Sequence, residues 1–162
     1  MKRLAIPAFL LVVVASIALA GVFQSRFDGH TTPTGDVVQV DDRGVAAGGY
    51  DVVAYFDGVA TPGTEAFETT HRGAKYRFGS RANLETFRSD PEAYAPQYGG
   101  FCAWAVGEKA SLVEADPEVF SVVDGRLFLN FNRDVQQAWE TDRDDLIRRG
   151  DGHWPTIVRD HT

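Results

Sequence analysis

The stretch Tyr76–Trp104, YRFGSRANLETFRSDPEAYAPQYGGFCAW, admits few local structures. Lys75–Gly79 alternates, with Tyr76 and Phe78 on one side and Lys75 and Arg77 on the other, the period-two pattern of a half-buried strand. Ser80 then stands where a serine caps a helix. Over Arg81–Asp90, Ala82, Leu84 and Phe87 fall near one face and Arg81, Glu85 and Arg88 towards solvent, which predicts a short amphipathic helix. The helix ends at Asp90, because the residue before a proline is biased out of the helical region. Asp90 caps a further turn with Pro91 at its first position and Tyr94 inward. Pro96 and Gly99-Gly100 break the chain before Phe101, and Cys102 is the one cysteine in 162 residues.

Around this stretch the other elements follow from turn chemistry. Phe67–His71 is expected to pair with Lys75–Gly79 through Arg72-Gly73-Ala74. Val119–Val123 and Arg126–Phe131 flank Asp124-Gly125, the signature of a two-residue type I′ hairpin turn. Val37–Val40 reads as a short first strand, Tyr50–Phe56 as a buried strand and Gly107–Ala115 as irregular chain. Asn132 caps a final helix with Val135, Ala138, Trp139, Leu146 and Ile147 inward and Gly150 as its stop, and Trp154 in the tail seals the core. The recurrence of Asp-Pro-Glu at Asp116–Glu118 is too short to read as a repeat. The expected fold class is α+β: a small single domain over residues 37–158, a mainly antiparallel sheet with hairpins, and two or more covering helices.

At the N-terminus, Lys2 and Arg3 precede an uncharged run from Leu4 to Phe23, and Ala18-Leu19-Ala20 is a small-x-small cleavage site. Residues 1–20 therefore read as an export signal, with an uncleaved anchor to residue 23 as the alternative, and residues 21–36 as a polar linker. The expected location is the periplasm or the extracellular face of the membrane. The formal net charge of −7 gives no basic surface for nucleic acid. Contact with a membrane is expected only through a retained N-terminal segment.

Strand, capped helix, Asp-Pro-Glu turn and tyrosine together resemble the YHS domain, and Gly49-Tyr50-Asp51-Val52-Val53-Ala54-Tyr55-Phe56 looks like its opening motif. The resemblance is to the exported, single-domain branch of the family, some of whose members carry selenocysteine at what looks like the position of Cys102. It implies a metal- or small-ligand-binding or accessory module of the cell envelope, centred on Cys102. A transition metal, copper or zinc, is the cofactor it brings into view, and a small ligand, a metal or an envelope protein the partner. The metal-associated members carry further cysteines where this chain has Ala54, Gly79 and Asn83, so their thiolate ligands do not transfer.

The candidate site residues follow. Cys102 is the redox or soft-ligand atom, expected at the border of a cleft. Tyr50, Asp51, Tyr98, Gly99, Gly100, Phe101 and Trp104 are the ligand-binding set, since the glycine pair allows close backbone approach and the aromatics supply walls. Buried tyrosines need a hydroxyl partner, which places several at a cleft rim with Asp51 and Asp90 as candidate acceptors. His71 and His153 are the histidines outside the expected tails that could join Cys102 on a metal, although no histidine pair has ligand spacing. A thiol-dependent redox protein is the second reading, and with a single cysteine it needs an external resolving thiol. No nucleophile elbow, phosphate-binding glycine loop or His-Glu metalloprotease helix is present.

Overall fold

The computed structural model describes Thr32 and residues 34–162. The expected signal segment and most of the linker lie outside the described residues. Two antiparallel hairpins set the frame. Strands β1 (Thr64–His71) and β2 (Ala74–Phe78) turn at Arg72 and Gly73, with φ of 48° and 72°, and β3 (Asp116–Val123) and β4 (Arg126–Asn130) turn at Asp124 and Gly125, with φ of 50° and 73°. Positive φ at both central residues is the type I′ geometry that matches strand twist. The antiparallel pairing is as expected, but the strands form two two-stranded sheets instead of one. Beyond its hairpin partner, each inner strand meets, among the described residues, only single bridges, Lys75 to Val45 and Leu129 to Cys102.

The hairpins belong to a larger recurring unit. Each carries one register shift near its start, between Thr64 and Glu68 and between Asp116 and Phe120. Each is followed by a capped helix of nine residues, α1 (Arg81–Ser89) and α4 (Arg133–Thr141). Ser80 Oγ accepts from Asn83 N at 3.1 Å, and Asn132 Oδ1 accepts from Val135 N at 2.8 Å. Three consecutive residues of positive φ open each unit, Ala47-Gly48-Gly49 and Tyr98-Gly99-Gly100. The second run lets the backbone pass against Val37, where a Cβ on Gly99 would collide with the carbonyl oxygen.

Several expected elements are corrected. Tyr50–Phe56 is not a strand: the Asp51 carboxylate accepts from Val53 N and Ala54 N, a local bond that turns the chain into a 3-10 helix over Ala54–Asp57. Val37–Val40 makes only isolated bridges. Helix α3 (Ala103–Lys109), ended by Ala110 in the left-handed region, takes up the start of the segment Gly107–Ala115 expected to be irregular. Gly150 stops nothing, since the break falls at Asp142 and helix α5 (Arg143–His161) runs through both Gly150 and Pro155. Gly150 is used for packing, because a Cβ there would sit 2.6 Å from the Tyr98 hydroxyl. Ala138, expected inward, is exposed. The short helix α2 (Pro91–Tyr94), capped by Asp90, is as expected.

The core is two clusters that share a wall. One gathers Val52, Tyr55, Tyr76, Phe78 and Phe87 around the first hairpin, and the other gathers Tyr98, Phe101, Phe128, Trp139 and Leu146 around the second. Strand β4 serves both, with Leu127 and Leu129 in the first cluster and Phe128 in the second. Helix α3 does the same, with Ala105 facing the first and Val106 the second. Burial on both faces accounts for three consecutive apolar residues in β4, Leu127, Phe128 and Leu129.

Candidate functional site

Cys102 is 1% exposed and packs in the first cluster, so it does not border a cleft. Its thiol donates to Asn130 Oδ1 at 3.6 Å, and the same oxygen accepts from Trp104 N at 3.1 Å. Neither candidate histidine joins it. His71 Nε2 lies 3.0 Å from Glu92 Oε1, and His153 Nδ1 lies 2.8 Å from the Val106 carbonyl oxygen. Among the described residues, no three His, Cys, Asp or Glu side chains come together as a metal site.

The expected ligand-binding set disperses in the same way. Asp51 is fully buried and takes four bonds, from Val53 N, Ala54 N, Gly79 N and Asn83 Nδ2, the last two at 2.8 and 2.7 Å. It is a structural clasp joining the opening motif to the start of α1, and it is not a tyrosine's partner. Tyr50 donates instead to Glu118 Oε1 at 2.6 Å, and Asp90 is spent on capping α2. Gly100 and Phe101 are buried, and Trp104 packs against both clusters with Lys109 Nζ 5.1 Å from its ring centre.

Three of the residues singled out from the sequence do meet. His71, Tyr98 and Gly99 line a cleft of about 240 Å³ between the first hairpin's turn, the loop after α2 and the outer half of α5. Two ion pairs flank it. Arg72 forks onto Glu92, Nε to Oε1 at 3.1 Å and Nη2 to Oε2 at 2.9 Å. Arg126 forks onto Asp151 at 2.6 and 3.0 Å while also holding Gln97, and the Tyr98 hydroxyl donates to Asp151 Oδ1 at 2.9 Å. Burial and then the Asp151 hydrogen bond push the Tyr98 phenol above its usual range, so it stays a donor.

Tyr76 is the cleft residue that the strand pattern assigned wholly to the core. Its ring packs on Phe87, centroids 4.8 Å apart, and the residue is 3% exposed. Its hydroxyl lies within the fields of Arg72, Glu92 and Asp36, all of which line the cleft. Among the described residues, no hydrogen-bond partner reaches that hydroxyl. The signal available beforehand was a phenol on the inward side of β2, where the matching strand β4 has Phe128.

A hairpin, a capped helix and a short proline-led helix packed over a buried opening motif define a small α+β module, and the family model of the YHS domain matches residues 52–98. The chain carries a YHS domain there. The match ends at Tyr98, so the second unit and α5 lie beyond it. No curated protein and no solved structure matches the chain.

Proposed function

We propose that this chain is an exported, non-enzymatic YHS-domain module of the cell envelope, and that its binding site is the cleft and not the thiol. The observation that carries this reading is where the cleft lies. One wall is the YHS segment, from His71 to Tyr98, and the facing wall is α5, which lies outside the family match. A lining that mixes apolar residues such as Val37, Val38 and Trp154 with a few hydrogen-bonded polar groups is the ordinary make-up of a small-molecule site. Export rests on the Lys-Arg start, the apolar run and the Ala-Leu-Ala site. Among the described residues, no helix is long and apolar enough to cross a membrane.

The test is a fragment set of mixed charge titrated into isotope-labelled full-length chain, with amide shifts mapped by residue. Binding that perturbs Val37, His71 and Gly99 supports the reading. If no fragment shifts those residues at millimolar concentration, the reading fails. Dialysis of the reduced protein against copper, zinc and iron tests the metal role that the resemblance implies, and tight binding there would favour a site built on Cys102. Intact mass of protein from the envelope fraction decides whether the N-terminal segment is removed.

A further inference from the structure

The Tyr76 hydroxyl has no work in the fold. Phe128 is the third residue of β4 as Tyr76 is of β2, and it packs on Trp139 (5.3 Å) as Tyr76 packs on Phe87. The packing position therefore accepts a ring without oxygen. A phenol whose side chain is buried and whose oxygen faces a cleft unpaired is a group kept for something that enters the cleft. Burial raises its ionisation range, so it remains a neutral phenol.

The charges around it narrow what can enter. The Arg72 guanidinium and His71 both rest on Glu92, and Arg126 rests on Asp151. Among the described residues, Asp36 has no cation within ion-pair distance, and its Oδ2 takes only the Thr34 hydroxyl at 2.6 Å. The charge left over in the cleft is thus one carboxylate, beside a phenol oxygen and the ring of Trp154. An anion would find the arginines committed and Asp36 repelling it. A cation finds a carboxylate, a phenol lone pair and aromatic surface, a combination that favours ammonium groups. At about 240 Å³ the space falls below the usual range of drug-sized sites, which begins at about 300 Å³.

We propose that the cleft binds a small organic cation, a primary amine with a short apolar body, its ammonium between Asp36 and Tyr76 and its body against Trp154. This rests on the cleft being the binding site. The experiment titrates n-butylammonium chloride, n-butanol and sodium butyrate into labelled full-length chain at matched ionic strength, alongside Tyr76→Phe and Asp36→Asn. The ammonium is expected to saturate the shifts of Val37, His71 and Gly99, and each substitution to weaken it about fivefold or more, as loss of one hydrogen bond to a charged group does. Tyr76→Phe is expected to keep the parent melting temperature, since its hydroxyl has no partner to lose. Butyrate or butanol binding as tightly as the ammonium, or unchanged ammonium affinity in both variants, overturns the proposal. So does an ammonium that leaves the cleft unshifted. If other fragments still map to the cleft, only the ligand class falls, and if none does, the binding reading falls with it.

Discussion

The two hairpin–helix units, Ala47–Asp90 and Tyr98–Asp142, share a backbone and differ in what covers them. Both open on three left-handed residues, turn through a type I′ pair, and cap a nine-residue helix with a small polar side chain. The residues that set backbone geometry are alike in kind: Gly48-Gly49 and Gly99-Gly100, Gly73 and Gly125, Ser80 and Asn132. The side chains on the buried faces are not. The residue two places after the glycine pair is Asp51 in one unit and Cys102 in the other, one clasping four donors and the other giving a single weak bond. Helix α5 lies on the second unit, close enough that a Cβ on Gly107 would meet the Leu146 carbonyl oxygen at 2.5 Å. The first unit faces α5 across the cleft. A few backbone-setting positions thus suffice for the frame, and the face residues decide whether a unit is sealed against α5 or left facing a cleft.

Substitutions at matching positions test how independent the units are. Phe87→Ala and Trp139→Ala each empty a fully buried ring site and should cost about 3–5 kcal/mol in urea unfolding. Both should show one transition, because β4 belongs to both clusters, and two transitions in either variant would make the units separable. Asp51→Ala leaves its buried donors without an acceptor and should cost about 3 kcal/mol. Gly107→Ala, which forces α3 off α5, should cost about 1–3 kcal/mol and loosen only the second unit's amide protection. Cys102→Ala removes one buried sulfur and should cost about 1 kcal/mol. Iodoacetamide should then label the folded parent no faster than it unfolds. Rapid labelling would put the redox reading ahead of the binding one.

Most of the frame was legible because its signals are local. The Ser80 and Asn132 caps, the Asp90-Pro91 break and the Asp124-Gly125 turn each depend on one or two side chains acting on adjacent backbone. Tyr50–Phe56 was misread because its apolar run looks like a strand, while one buried carboxylate, Asp51, satisfies the amides that a strand would have paired. Gly150 was misread because a glycine needed for contact with Tyr98 looks the same in sequence as one that ends a helix. The repeat escaped notice because its two copies agree in conformation more than in identity. The cleft was only partly visible: Tyr98, Gly99 and His71 were singled out, but Trp154 and Asp151 reach it from a helix far along the chain. Cys102 drew the site towards itself through its rarity, and rarity carries no information about burial.

The smallest expected effect concerns the Arg126–Asp151 ion pair, which ties the second hairpin to α5. Arg126 opens β4 where Ala74 opens β2, so Arg126→Ala gives the second unit the first unit's residue. Burial of Asp151 works against its ionisation, but the Arg126 and Tyr98 hydrogen bonds and the Arg126 charge outweigh it and hold the carboxyl below its ordinary 3.8. A carboxyl depressed in the folded state contributes its full stability above its unfolded pKa and loses it as pH falls through the folded one. The side chains are 34% and 45% exposed, so solvent and salt screen the pair and its worth is under about 1 kcal/mol. Arg126→Ala should therefore lower urea stability slightly at pH 7, and the gap from the parent should narrow as the buffer is taken below about pH 4. Added salt at pH 7 should narrow it as well. A gap that stays constant with both pH and salt would mean that Arg126 acts through its stem packing on Phe128, 5.1 Å from the guanidinium carbon to the ring centre, and not through its charge.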